Sequence, residues 1–426
     1  MAEARRKKKK KWIHFRHNVV WQIGRVVCFF VLKIRCHYHW QKLSRKEYRQ
    51  ALILSNHQTV FDQFFVGITF PRPVYYVASE AIISNGFKGR FVTWCAAPIP
   101  IKKAKSDTTA VAGILRVVKE GGSVAIFPEG NQSMAGKTGY MKKTVASLAK
   151  RLKIPLILYR LEGGYAQKPR WCDHRRKCST RGSIARVIEP EELAGMSEDE
   201  IYRIIVDTLT LDDHDGGQIV RSRHMAEQLE RILYVCPKCG MTSFIGKGNR
   251  IKCNTCSLEA EFQSDLSLRA VTGELPYKNE CEWFDAQQEY IRKLDREAFL
   301  ERPAYVETVS LHRVVLYEKT VCVAKQLRIS LYSDRLEFAT ADPEESLSVE
   351  IPRVIRFDEL ESASVQYANT LMLYFDDLRT FRVTGDTHFN AVKYMDFVSH
   401  YQKQYLSVLT GLPEYQGEND MEFLGV

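Results

Sequence analysis

The chain of 426 residues has no apolar run long enough to cross a bilayer easily. Its longest, Val19 to Leu32, has 14 residues with Arg25 in the middle, whereas a spanning helix needs about 20 consecutive apolar residues. No small-residue cleavage site follows, which argues against a secretory signal. Net charge is also scarce beyond residue 50. The first 50 residues hold 15 Lys or Arg against two Glu, so the overall +11 leaves −2 for the remaining 376. That distribution argues against a nucleic-acid binder built on a basic fold. The chain has no Gly-x-Ser-x-Gly elbow and no papain-type cysteine context, so the usual signatures of covalent serine or cysteine chemistry are missing. Internal repeats are absent too. What is there, 45% hydrophobic and 11% aromatic residues, is ordinary globular composition with room for two or three domains.

The basic residues concentrate in the opening "MAEARRKKKKKWIHFRH", which continues "NVVWQIGRVVCFFVLKIRC". Wound as a helix, this places Asn18, Gln22, Arg25 and Lys33 on one stripe. Valines, Trp21, Ile23 and Phe30 cover the rest, and Phe29 intrudes on the polar stripe. The pattern predicts an interfacial helix on an anionic membrane surface, peripheral or monotopic, and residues 1–44 are assigned to it. The alternative is a disordered nucleic-acid-binding arm before a core helix. Trp12, Phe15 and Trp21 beside the charges favour the membrane. Of eleven cysteines, four fall in a metal pattern and the rest are scattered, which points to a reducing cytoplasm and hence to the cytoplasmic face of the membrane.

Residues 45–215 alternate short β-rich runs with helix-like segments. The candidate strands are "ALILSN", "VYYVAS", "SVAIF", "PLILYRL" and "SIARVIEP", and helical periodicity is predicted for 107–120, 141–152 and 198–210. Such alternation indicates an α/β domain with a largely buried sheet. The polar segment "DDHDGGQ" ends it. Residues 232–262 carry Cys236, Cys239, Cys253 and Cys256, two Cys-x-x-Cys pairs separated by 13 residues. This is the layout of a zinc ribbon, in which each pair supplies two thiolates from a tight turn to a structural Zn2+. Lys238, Lys247, Arg250 and Lys252 give the ribbon a basic face, read as solvated. A connector at 263–302 contains the helix "CEWFDAQQEYIRKL". From 303 to 410 come short strands, "RVVLYEK", "RISLYSD", "RLEFAT", "SLSVEI", "SASVQY", "TLMLYFDD" and "TFRVTG", closed by the helix "NAVKYMDFVSHYQKQYLSVL"; residues 411–426 are a tail. Strands followed by one helix resemble, in architecture only, a pleckstrin-homology or GRAM-type barrel that could recognise lipid, a carrier protein or a neighbouring subunit.

Two segments carry candidate chemistry. In "SNHQTVFD", directly after an apolar strand, His57 and Asp62 are five apart, which on a continuous helix would separate them by roughly 140°. They can meet only if His57 lies in the turn before a helix and Asp62 in its first turn. The carboxylate would then hold the imidazole in one tautomer and support the imidazolium. A turn and a cap with no chemistry is the alternative. The second segment, "SVAIFPEGNQS", also follows a strand, so the two are expected to face one crevice at the carboxyl ends of the sheet.

Together, Asn56-His57 with Asp62, then Phe127-Pro128-Glu129-Gly130, then Ile154-Pro155-Leu156-Ile157 resemble the glycerolipid acyltransferase superfamily, that of the 1-acylglycerol-3-phosphate acyltransferases, over roughly residues 45–210. The resemblance implies an acyltransferase with His57 as general base and Asp62 as its orienting partner, an acyl-CoA or acyl carrier protein donor, and a lysophospholipid acceptor, 1-acylglycerol-3-phosphate foremost, to give phosphatidate. Glu129 and Gly130 correspond to residues that position the acceptor, a carboxylate for a hydroxyl hydrogen bond and a glycine for close backbone approach. A strand-to-turn transition would also explain them. Two positions depart from the pattern. Gln132 stands where the family has Arg, and the upstream block ends in Lys102 and Lys103, the latter best aligned with an Arg. Lysine is a point charge rather than a bidentate fork, which leaves phosphate recognition altered, and Lys137, Lys142 or Lys143 are candidates to compensate. The apolar "QFFVGITF" is either acyl path or plain core. A catalytically silent lipid-binding or scaffolding protein on the same fold is the alternative to an enzyme.

Overall fold

The run Leu52-Ile53-Leu54 has no solvent exposure at all, the condition of a central strand covered on both faces. A computed structural model describes residues 11–79, 83, 86–101, 108–315, 320–340, 351–375, 377 and 379–410. It places this run in β2 (Leu52–Ser55), between β5 (Ser123–Ile126) and β6 (Leu156–Glu162). The register is parallel, Leu52 opposite Val124 on one side and Leu156 on the other. Around this centre lie β1 (Tyr38–Trp40), β3 (Val74–Ser79), β4 (Ile99–Ile101) and β7 (Thr180–Ile188), in the order β1-β7-β6-β2-β5-β3-β4. Only β6 and β7 run antiparallel.

Alternation along β2 feeds two cores. Leu52 and Leu54 join Val124, Leu156 and Ile205 on one face, and Ile53 joins Phe65, Val66 and Tyr159 on the other. Besides the single turn Gly164–Gln167, the helices of this domain are α1 (Phe15–Arg35), α2 (Asp62–Thr69), α3 (Gly86–Ala96), α4 (Thr108–Lys119), α5 (Thr144–Leu152), α6 (Pro190–Gly195) and α7 (Glu198–Leu209). Residues 38–40, expected in the membrane segment, instead pair with β7 at the edge of the sheet. Neither α3 nor β4 was anticipated.

The cysteine region contains β8 (Val235–Cys236), β9 (Gly240–Met241), β10 (Phe244–Lys247) and β11 (Arg250–Cys253), with Cys239 in the turn between β8 and β9 and Cys256 just after β11. With β12 (Glu259–Phe262) and β13 (Leu268–Thr272), β10 and β11 form a four-stranded antiparallel sheet. The connector helix α8 (Glu280–Arg292) starts at Asn279, whose side chain accepts the Glu282 N–H. Beyond it, β14 (Tyr305–Val314), β15 (Thr320–Leu331), β16 (Arg335–Thr340), β17 (Val354–Arg356), β18 (Leu360–Gln366), β19 (Thr370–Phe375) and β20 (Thr380–Thr384) make an antiparallel sheet in the order β17-β16-β15-β14-β20-β19-β18. Helix α9 (Val392–Thr410) packs on β18 and β19. The expected strand "SLSVEI" lies almost wholly outside the described residues. One continuous apolar cluster runs from Tyr165 and Trp171 through the ribbon to this barrel.

Helix α1 adds to the sequence reading what its polar stripe meets. Two members of its polar stripe face the protein: Gln22 Nε2 donates to the Pro71 carbonyl at 2.8 Å, and Arg25 Nη2 to that of Ile68 at 3.2 Å. They cap carbonyls at the end of α2 and just after it, which would otherwise lack partners. The apolar stripe at helical spacing, Phe15, Val19, Ile23, Val26, Phe30 and Ile34, is exposed. At 21 residues α1 is also long and apolar enough, by length and composition, to cross a membrane.

Candidate active site

Because β2 and β5 are parallel neighbours, the loops leaving their carboxyl ends meet at one edge of the sheet. His57 lies in the turn after β2, and α2 begins at Asp62. Asp62 is completely buried. Its Oδ2 stands 2.8 Å from His57 Nδ1 and also accepts the N–H groups of Gln58 at 2.5 Å and Thr59 at 2.9 Å, while Oδ1 accepts the Thr59 hydroxyl at 2.8 Å. One carboxylate therefore fixes the imidazole and satisfies the amides of the turn that carries it. With Nδ1 so engaged, Nε2 is the ring nitrogen left for chemistry. Phe127 stacks on the imidazole with centroids 4.2 Å apart and planes 18° from parallel.

The second loop is tied to the first by backbone. Glu129 Oε1 accepts the His57 N–H at 2.7 Å and Oε2 accepts the Gly139 N–H at 2.8 Å, while Ser133 N–H donates to the His57 carbonyl at 2.9 Å. Burial pushes the Glu129 carboxyl up to about 8, with the two amide hydrogen bonds pulling the other way. One oxygen thus joins the two segments and the other braces the loop that follows Glu129, a role the sequence did not reveal. Gly130 has φ of +69°, and nothing lies within 4 Å of where a Cβ would be. The left-handed backbone there is itself a demand for glycine.

Residues far away in sequence complete the frame. Asn56, fully buried, exchanges two 2.8 Å hydrogen bonds with the backbone of Leu161 at the end of β6. Gln58 donates to Asp213 Oδ1 at 2.9 Å and accepts the Gly164 N–H at 2.9 Å. Asp213 also accepts the N–H groups of Gly163 and Ala166. It belongs to "DDHDGGQ", which the sequence marked only as a boundary.

His57, Glu129, Gly130 and Gln132 line one cavity of about 1890 Å³. Of the three lysines named as candidates to compensate for Gln132, Lys137 pairs with Asp285 at 3.7 Å and Lys143 with Asp199 at 2.8 Å. Lys142, half-buried in the cavity wall, has no carboxylate partner among the described residues, and burial lowers its pKa. Lys102 and Lys103 lie outside the described residues.

Residues 35–158, which include His57, Asp62 and Glu129, match the family model described as Acyltransferase. The 1-acyl-sn-glycerol-3-phosphate acyltransferase of Saccharomyces cerevisiae is 24% identical over 186 aligned residues, 39% of this chain and 59% of the yeast protein. Residues 35–158 thus carry the pattern of the Acyltransferase family model. It spans only 59% of the length of that curated relative. Two solved structures are similar to parts of this chain. The 1-acyl-sn-glycerophosphate acyltransferase PlsC of Thermotoga maritima is 16% identical, with a TM-score of 0.37, over 45% of this chain and 76% of its own. The N-terminal PH domain of human ARAP2 is 12% identical, with a TM-score of 0.18, over 27% of this chain and 90% of its own.

The four cysteines also come together. Cys236 Sγ is 3.7 Å from Cys256 Sγ and Cys239 Sγ is 3.6 Å from Cys253 Sγ, and all four lie within 4.8 Å of one another. A tetrahedron with Zn–S bonds of about 2.3 Å has edges of about 3.8 Å, so the donor set fits such an ion.

Proposed function

We propose that the chain is an O-acyltransferase that moves a fatty acyl group from the thioester of acyl-CoA or acyl carrier protein to a hydroxyl of a lysophospholipid, 1-acylglycerol-3-phosphate being the smallest such acceptor. The observation that carries this reading is the buried Asp62 bound to His57 Nδ1 beside an open cavity, within a domain of acyltransferase lineage. His57 Nε2 takes the proton of the acceptor hydroxyl as its oxygen attacks the thioester carbonyl. Collapse of the tetrahedral adduct breaks the C–S bond, and the imidazolium returns the proton to the departing thiolate. Asp62 stabilises the imidazolium between the two transfers. Phe127 and the Glu129 tether hold the ring in place, and Lys142 supplies a cation for the acceptor phosphate.

The exposed stripe of α1 continues onto α3, where Phe87, Phe91 and Trp94 are exposed. Phe91 also lines the cavity. We read this apolar surface as lying in the cytoplasmic leaflet, with Arg and Lys of the N-terminal segment on anionic headgroups. Because α1 is bound side-on to the protein through Trp21, Gln22 and Arg25, it is assigned to the interface rather than to a span. The four cysteines are assigned a structural Zn2+, which would hold the hairpin of β8 and β9 against the turn after β11. The test is acyl transfer by the lipid-reconstituted protein from radiolabelled acyl-CoA and acyl carrier protein to a panel of lysolipids. A diacyl product with any acceptor supports the reading, and no product across the panel from folded protein overturns it.

A further inference from the structure

Away from the cavity at His57, a second group of metal-binding side chains comes together. His174 lies in the loop between β6 and β7, and His224 and Glu227 lie in the segment that leads into the ribbon. His224 Nδ1 is 2.5 Å from Glu227 Oε2, and His174 Nε2 is 3.6 Å from Glu227 Oε1. The two imidazoles stack with centroids 4.1 Å apart and planes 14° from parallel. One donor atom from each of the three residues lies within 4.8 Å of the others. The sequence gave no sign of this group, because β7, α6 and α7 all lie between the two histidines.

The backbone beneath these side chains is held by other contacts. Asp173, next to His174, accepts from Nη1 and Nη2 of the buried Arg231 at 2.9 Å each and exchanges two 2.6 Å hydrogen bonds with Gln228. Lys177 and Arg221 exchange backbone hydrogen bonds at 3.0 and 2.9 Å. Towards the ribbon, the Ala226 N–H donates to the Gly248 carbonyl at 2.9 Å and the Met225 N–H to Asn249 Oδ1 at 3.1 Å, both in the turn between β10 and β11. The two guanidiniums that follow His174 in sequence are turned to aromatic rings, Arg175 to Phe61 and Arg176 to Trp171 and Phe262. A frame fixed in this way lowers the ordering cost of binding a ligand.

Two imidazoles and a carboxylate are donors for zinc and other first-row divalent ions, whereas calcium and magnesium take oxygen ligands. A tetrahedral ion with bonds of about 2.1 Å has donors about 3.4 Å apart. It would replace the proton between His224 and Glu227 and let those side chains separate by about 1 Å. All three side chains are half-buried, so a fourth position is open to water. Four thiolates, by contrast, close their site.

We infer that His174, His224 and Glu227 bind a divalent transition-metal ion of the zinc type, in a second, exchangeable site that staples a loop of the acyltransferase domain to the entrance of the ribbon. The test needs no turnover. The tag-free full chain is passed over a chelator resin, which leaves only metal held by the four cysteines, and is titrated with Co2+ by calorimetry and visible absorption. The expected result is saturable uptake of one further ion per chain, with d–d absorption and no added thiolate-to-cobalt band. His174→Ala and His224→Ala should each weaken that uptake by at least about tenfold, the loss that even outer-shell partners cause, and leave the cysteine-bound zinc in place. Glu227→Gln keeps the size of the side chain and removes the anionic donor, so it should weaken uptake equally and decides the matter where an alanine variant does not fold. No further ion taken up, uptake marked only by the thiolate band, or uptake unchanged in the folded variants overturns the inference.

Discussion

Replacing Asp62 by Asn isolates the charge of the pair from its geometry. The carboxylate accepts four hydrogen bonds, three at Oδ2 and one at Oδ1. An Asn with its carbonyl in the Oδ2 position keeps the three, and the Thr59 hydroxyl can rotate to accept from the new NH2 group. The turn should therefore survive. What is lost is the attraction between a buried carboxylate and the imidazolium that forms during transfer. For unit charges about 4 Å apart in an effective dielectric of about 20, that attraction is about 4 kcal/mol. At about 1.36 kcal/mol per decade, kcat should fall by roughly three orders of magnitude, and acceptor KM should change little, because the ground state contains neutral imidazole. Steady-state acyl transfer together with a thermal melt checks this. Asp62→Ala, by contrast, strands the buried amides of Gln58 and Thr59 at about 1–3 kcal/mol each and should lower the melting temperature as well. A kcat within tenfold of wild type in a normally folded Asp62→Asn protein would refute the reasoning.

Other consequences are equally direct. Elemental analysis should find one zinc per chain, lost in Cys253→Ser along with the fold of residues 235–262; one zinc retained by the variant would refute the four-thiolate site. His214 lies between Asp212 at 2.5 Å and Glu280 at 3.0 Å. Burial alone would lower its pKa, but the two carboxylates outweigh burial and raise it to about 10. A raised histidine contributes stability that is complete below about 6.5 and lost as pH rises to about 10, so the melting temperature should fall over that window and fall less in His214→Gln. On anionic vesicles, Phe15→Ser, Ile23→Ser and Phe30→Ser should each weaken association by roughly ten- to a hundredfold, the scale of ~1.5–3 kcal/mol for burying a large apolar side chain. Unchanged flotation would detach α1 from the membrane.

The central strands were legible because β2, β5 and β6 are unbroken apolar runs with polar turns after them, the pattern of a sheet covered on both faces. The placement of His57 before a helix and Asp62 at its start followed from the angular arithmetic of a five-residue offset. β1 escaped notice because it is three residues long and is a strand only through its pairing with β7. The polar stripe of α1 was legible but its partners at Gln22 and Arg25 were not, since periodicity does not tell whether water or unpaired carbonyls receive it. Asp213 and Arg170 were invisible for a different reason. Their partners lie 155 residues away at Gln58 and 195 and 197 away at Val365 and Tyr367, and a single polar residue in a loop carries no sign of such a partner.

The most direct test of the account is the acceptor-dependent release of coenzyme A thiol by reconstituted wild-type protein and by His57→Ala, followed with a thiol-reactive dye. The account predicts release that requires lysolipid, matches the diacyl product one to one, and falls to background in the variant while its melting temperature and zinc content stay at wild-type values. Release that persists in folded His57→Ala protein at a rate near wild type would contradict it.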